Sequence, residues 1–194
     1  MERRSAIKML LTSIGITASS QTLITLVQAS QQNHRPKKPY FNASQRAFIK
    51  QLNNTILPET STPGAETLKL QRFVETMVKE TFPEKQQNMF VDGLRITQEL
   101  FNKSMIVDET TQQDHTAHLT QFLSITDEQR ATYQILDDLP PERIPAEIKV
   151  HYYQYKFLFT LRALLIIGFM HHEEIAKLQR DAKDFPVTYI PGNC

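Results

Sequence analysis

Two groupings of histidine are the side chains whose type and spacing could do chemistry. His115-x-x-His118, with Asp114 beside it, has a spacing that lets two imidazoles face one metal ion from a helix. His171-His172-Glu173-Glu174 gathers two imidazoles and two carboxylates in consecutive positions. A metal centre needs three or four converging ligands, and neither run supplies a complete set by itself. Solvated histidines account for both groups, and a cation at His171 or His172 also suits the negative end of a helix. Nothing else in the chain offers a reaction centre. G-x-G-x-x-G, G-x-x-x-x-G-K, H-E-x-x-H and the E-x-x-H of carboxylate-bridged di-iron bundles are all missing. No G-x-S-x-G elbow presents a serine. The single cysteine, Cys194, rules out a c-type haem motif, an iron–sulfur cluster and structural zinc built from cysteines.

The elements that would position these residues read as helices. Asn42 and Gln45 have the spacing of a capping box, and Phe48, Leu52 and Ile56 follow on one face. Pro58 stops that helix near Leu57. A turn-rich loop runs to Ala65, where a second helix is expected to begin with Glu66 near its positive end. Leu70, Phe73, Met77 and Thr81 form its buried stripe, and Pro83 ends it or opens the next. Phe90, Leu94, Thr97 and Phe101 make a third stripe; 108–115 reads as a loop; Leu119, Phe122 and Leu123 suit a short fourth helix. Thr126 and Gln129 form another capping box ahead of Tyr133 and Leu136. Pro145 then opens a long apolar helix over 146–170.

That last helix is apolar on most sides, as a helix buried in a core is. Lys149, Lys156 and Thr160 form its narrow polar stripe, and Arg162 lies opposite, where burial would demand a carboxylate or carbonyl partner. The aromatic run Tyr152, Tyr153, Tyr155, Phe157, Phe159 reads as packing, with contact to a partner subunit along one face as the other use. The fold expected is all-α: a compact domain of about six helices around one long apolar central helix.

An address precedes this domain. Arg3 and Arg4 are followed by Lys8 and by a moderately apolar stretch from Ile7 to Val27 that Thr, Ser, Gly and Gln interrupt. It is too polar for a stable spanning helix, which needs roughly 20 predominantly apolar residues. This is the form of a twin-arginine export signal, a receptor-read address for folded proteins. Cleavage after Ala29 is expected, giving a signal over 1–29, a linker over 30–41 and a helical domain over 42–194. The full chain of 194 residues carries a net charge of +1. The signal removes three basic and one acidic side chain, leaving −1, a balance that argues against nucleic acid as a partner. In an exported protein an odd cysteine means a free thiol or a bond to another chain.

Taken in order, several segments resemble one family. They are the twin-arginine start, Leu57-Pro58 … Thr62-Pro63-Gly64-Ala65, Phe90-x-x-Gly93-Leu94, Phe159-x-x-Arg162-x-Leu164-x-x-x-Gly168-Phe169, and Pro191-Gly192-x-Cys194. They resemble the small, cofactor-free subunit of membrane-bound FAD-dependent sugar and sugar-acid dehydrogenases, the gluconate 2-dehydrogenase subunit 3 family. The resemblance implies a non-catalytic chain with no cofactor of its own. It implies a large partner that holds FAD, a membrane subunit with c-type haem, and passage through the twin-arginine machinery. The location implied is the periplasm, at the inner membrane through the partner subunits. Pro63, Gly64, Arg162, Phe169, Pro191 and Gly192 become candidate partner contacts, and Cys194 a candidate intersubunit disulfide. Two other readings compete: a stand-alone exported helical metalloenzyme using a His/carboxylate site, and a monotopic envelope protein.

Overall fold

A computed structural model describes residues 39–107, 119–120, 125–137 and 139–183. The segment read as an export signal, His115, His118 and the Pro191-Gly192-x-Cys194 end lie outside the described residues. Those described form six α-helices and one short 3-10 turn, with no strand among them. The helices are α1 (Ala43–Ile56), α2 (Leu70–Thr81), α3 (Glu84–Val107), α4 (Asp127–Asp137), α5 (Ala146–His171) and α6 (Glu173–Lys183). None is long and apolar enough to cross a membrane.

Local chemistry sets most boundaries. At α1 the Gln45 amide donates to Asn42 Oδ1 (2.8 Å) and the Asn42 amide donates back to Gln45 Oε1 (3.0 Å), so two orphan N–H groups are satisfied reciprocally. Thr126 and Gln129 repeat the arrangement ahead of α4. Pro83 opens α3: its carbonyl accepts from the Gln86 and Gln87 amides. Pro145 does the same for α5, accepting from Lys149.

The second helix departs from the sequence reading. It begins at Leu70, five residues later than Ala65, and 65–69 are a series of turns. Lys69, the residue before the helix, has φ of 51°, the left-handed region that side chains rarely occupy. Glu66 therefore serves no helix end. It pairs with Lys50 Nζ (2.6 Å) and accepts from Asn54 Nδ2 (3.1 Å). The helix α6 has no counterpart in the sequence reading.

The core forms around α5. It packs most extensively against α3, then α2, and α6 folds back on its end, while α1 leans on α2. Rings run through the centre, with Phe90 5.8 Å from Phe41 and 4.9 Å from Phe157. The α3–α5 crossing depends on Gly93. A Cβ there would sit 2.5 Å from the Tyr153 carbonyl oxygen and 2.6 Å from Phe157 Cβ, so only hydrogen permits this approach. Gly168 plays the same part where α2 crosses α5, against the Phe73 ring. Glu75, buried on α2, accepts from the Tyr40 (2.6 Å) and Phe41 (3.2 Å) amides and so ties the start of the described chain to the bundle.

Candidate interaction surface

The polar stripe of α5 is covered, not solvated. Lys156 Nζ donates to Asp137 Oδ2 (2.9 Å) and the Tyr152 hydroxyl to Asp137 Oδ1 (2.6 Å), both from the end of α4. Lys149 lies over the Tyr153 ring, 5.9 Å from its centre, and Thr160 is buried. Burial first, then the Asp137 carboxylate, holds the Tyr152 hydroxyl above its ordinary range, so it remains a donor. Tyr133 of α4 packs on Tyr152 and Tyr155, 5.5 and 4.9 Å between ring centres. Tyr152 and Tyr153 form a small second core with Leu136 and Ile144, and Tyr133 packs against it. Apart from Phe159, which is only partly buried, the aromatic run is spent on packing.

Arg162 takes the opposite role to the one its surroundings suggest. It is exposed, so it needs no buried carboxylate. Phe159, Ile166, Phe169 and Met170 are partly buried, and with Arg162 they recur at i, i+3, i+7, i+10 and i+11 along one side of α5. Arg162 and Phe169, seven residues apart, therefore share a face. The result is a shallow apolar stripe with one cation in it. Such a mixture of aromatic and Arg side chains is the composition enriched at protein interfaces.

The loop before α2 is built from within. The Glu59 carboxylate accepts from the Gly64 amide (2.8 Å) and the Thr67 amide (3.2 Å), and these two bonds hold it below the ordinary carboxylate range. The Ala65 amide closes the loop on the Leu57 carbonyl (3.0 Å). Gly64 is buried, and a Cβ there would lie under 3 Å from three backbone atoms of 57–59. Pro63 is partly buried. Gly64 thus acts within the loop, while Pro63 is the member of the pair that reaches the surface.

The two histidines that end α5 differ from the sequence reading. His171 is half-buried, and its Nδ1–H donates to the Ile167 carbonyl (2.9 Å). His172 is only 8% exposed. Its Nδ1 accepts from the Glu174 amide (3.3 Å), which makes it the side-chain cap of α6, and the Leu68 carbonyl receives its other ring N–H. Neither is a solvated histidine. Among the described residues no group of three or more His, Cys, Asp or Glu converges as a metal site would require.

Burial, partly opposed by Glu174 and Glu173, lowers the His172 pKa from its ordinary 6.5. The unfolded chain then binds this proton more tightly than the folded one. The contribution to stability is complete above the unfolded value and is lost as pH falls through the lower folded value. We expect His172→Asn, which keeps a capping acceptor without a titrating ring, to flatten the loss of stability between pH 7.5 and 5. The change in slope should approach, and not exceed, about 1.4 kcal/mol per pH unit. Urea unfolding at several pH values checks it, and equal slopes would refute it.

With this geometry in view, comparison with known families is informative. Residues 43–192 match the family described as gluconate 2-dehydrogenase subunit 3. The chain belongs to that family, a subunit family of a gluconate 2-dehydrogenase complex. Comparison with curated proteins and with solved structures returns no match.

Proposed function

We propose that this chain is the non-catalytic small subunit of a periplasmic flavin-dependent sugar or sugar-acid dehydrogenase, and the escort that assembles with the large subunit and carries it through export. The observation that carries this reading is the family match over 43–192. In this role the large subunit holds FAD and oxidises the substrate, and a cytochrome subunit with c-type haem takes the electrons on to the membrane. A flavoprotein must bind its cofactor before it crosses, so it needs a folded-protein route; the Arg3-Arg4 signal on the small chain supplies one for the pair.

The large subunit docks along the Phe159–Met170 stripe of α5, with Arg162 giving the contact its charge specificity and Phe169 an apolar anchor. Pro63, Pro191 and Gly192 are further candidate contacts of the same partner.

Purification of the tagged chain from its native envelope tests the proposal. A stoichiometric flavin-containing polypeptide should accompany it, and Arg162→Glu with Phe169→Ala should release that polypeptide while leaving the helical spectrum intact. Recovery of the chain alone, under conditions that preserve other envelope complexes, would overturn it. A further expectation concerns Cys194, which in this role bonds to the large subunit. The pair should migrate together on a non-reducing gel and separately after reduction; identical migration in both would remove the disulfide.

A further inference from the structure

A cleft of about 180 Å³ opens between the second half of α1 and the start of α2. Lys50, Asn53, Glu66, Lys69 and Arg72 line it. Its floor holds an unusual residue. Asn53 is 2% exposed, and neither its Oδ1 nor its Nδ2 has a hydrogen-bond partner. Arg72 Nη1 is likewise buried and unpartnered. A buried amide left unpaired forfeits its hydration without replacement, so an arrangement with both ends bare calls for a ligand or trapped solvent.

The charge in the cleft selects the ligand. Lys50 is already paired with Glu66, whose other oxygen accepts from Asn54. Neither Lys69 nor Arg72 has an ion-pair partner among the described residues. Both stand at the first turn of α2, where no side chain caps the helix and the backbone dipole favours negative charge. An anion satisfies Arg72, Lys69 and the Asn53 N–H₂ group together, and a carboxylate matches the guanidinium fork. It leaves the Asn53 carbonyl oxygen needing a donor, which an adjacent hydroxyl provides. This holds whichever way the amide is turned, since both its atoms are unpartnered. The volume lies below the roughly 300–1,000 Å³ of pockets for drug-sized ligands, which limits the occupant to a few carbons.

We propose that this cleft binds a small 2-hydroxycarboxylate, with Arg72 and Lys69 on the carboxylate and Asn53 bridging carboxylate and hydroxyl. Lactate is the probe, with propionate, inorganic phosphate and 1,2-propanediol beside it. The readout is the Asn53 side-chain amide resonance of the full chain. Lactate should shift it saturably. Propionate should bind roughly tenfold more weakly, reflecting one lost hydrogen bond, and the diol not at all. Arg72→Met should abolish binding with the fold retained. Lys69→Gly, which suits the left-handed backbone and removes the side chain with its charge, should weaken it several-fold. Asn53→Leu should also abolish it.

Three results would overturn the proposal. One is no saturable shift with any probe, which means that solvent alone fills the cleft. Another is phosphate or propionate binding as tightly as lactate. The third is unchanged lactate binding in Arg72→Met.

Discussion

Gly93→Ala is expected to lower the unfolding free energy by about 3 kcal/mol, at the upper end of ordinary overpacking. In an exposed helix the same change stabilises, because alanine exceeds glycine in helix propensity by nearly 1 kcal/mol. Here the sign reverses for a steric reason. The added Cβ meets the Tyr153 carbonyl oxygen at 2.5 Å, and that oxygen belongs to the rigid backbone of α5. Relief requires the two most extensively packed helices to separate, which loosens Phe90, Leu94 and Phe157 together. For a domain of this size the melting temperature should fall by roughly 6–12 °C, with little change in denaturant m-value. Gly168→Ala should do less harm, because its clash is with the Phe73 ring, a side chain that can pivot. Thermal and urea unfolding of both variants decide the matter. A neutral or stabilised Gly93→Ala would show that the crossing is looser than its geometry.

The other large effect is on location. Under the proposed role, replacing Arg3 and Arg4 together by Lys should strand the flavin-containing partner in the cytoplasm and bring periplasmic dehydrogenase activity to background. The substitution keeps the positive charge and removes only the planar guanidinium, so general electrostatics and the apolar stretch are untouched. Because the address is read by a receptor, charge alone should not rescue it. The informative measurement is the partner's distribution, since a signal that served this chain alone would leave the partner's export unchanged. Normal export of the large subunit in the double variant would refute the escort role.

Much of the fold was legible because it is set locally. Both capping boxes, the proline starts of α3 and α5, and the apolar spacing of α1 are written within a few residues of the structure they specify. The failures have long-range causes. Ala65-Glu66 has the look of a helix start, yet Glu66 finds Lys50 and Asn54 across a loop, and the chain turns through Lys69 before α2 begins. The polar stripe Lys149, Lys156, Thr160 invites solvent, but α4 brings Asp137 to cover it, and Arg162 is left outside instead. The helix α6 was hidden because Ile175 is its one buried side chain among those described, and its cap is a histidine, a residue outside the usual capping set. The vacant Asn53 amide carries no signal in the sequence; only the packing shows that nothing meets it.

The central place of α5 has a consequence for synthesis. Its principal neighbours, α2 and α3, are made well before it, and until it emerges they lack the surface that buries most of their core side chains. Residues through about His171 must therefore leave the ribosome before α2 and α3 can complete their packing, so the bundle closes as a unit only after its fifth helix has emerged.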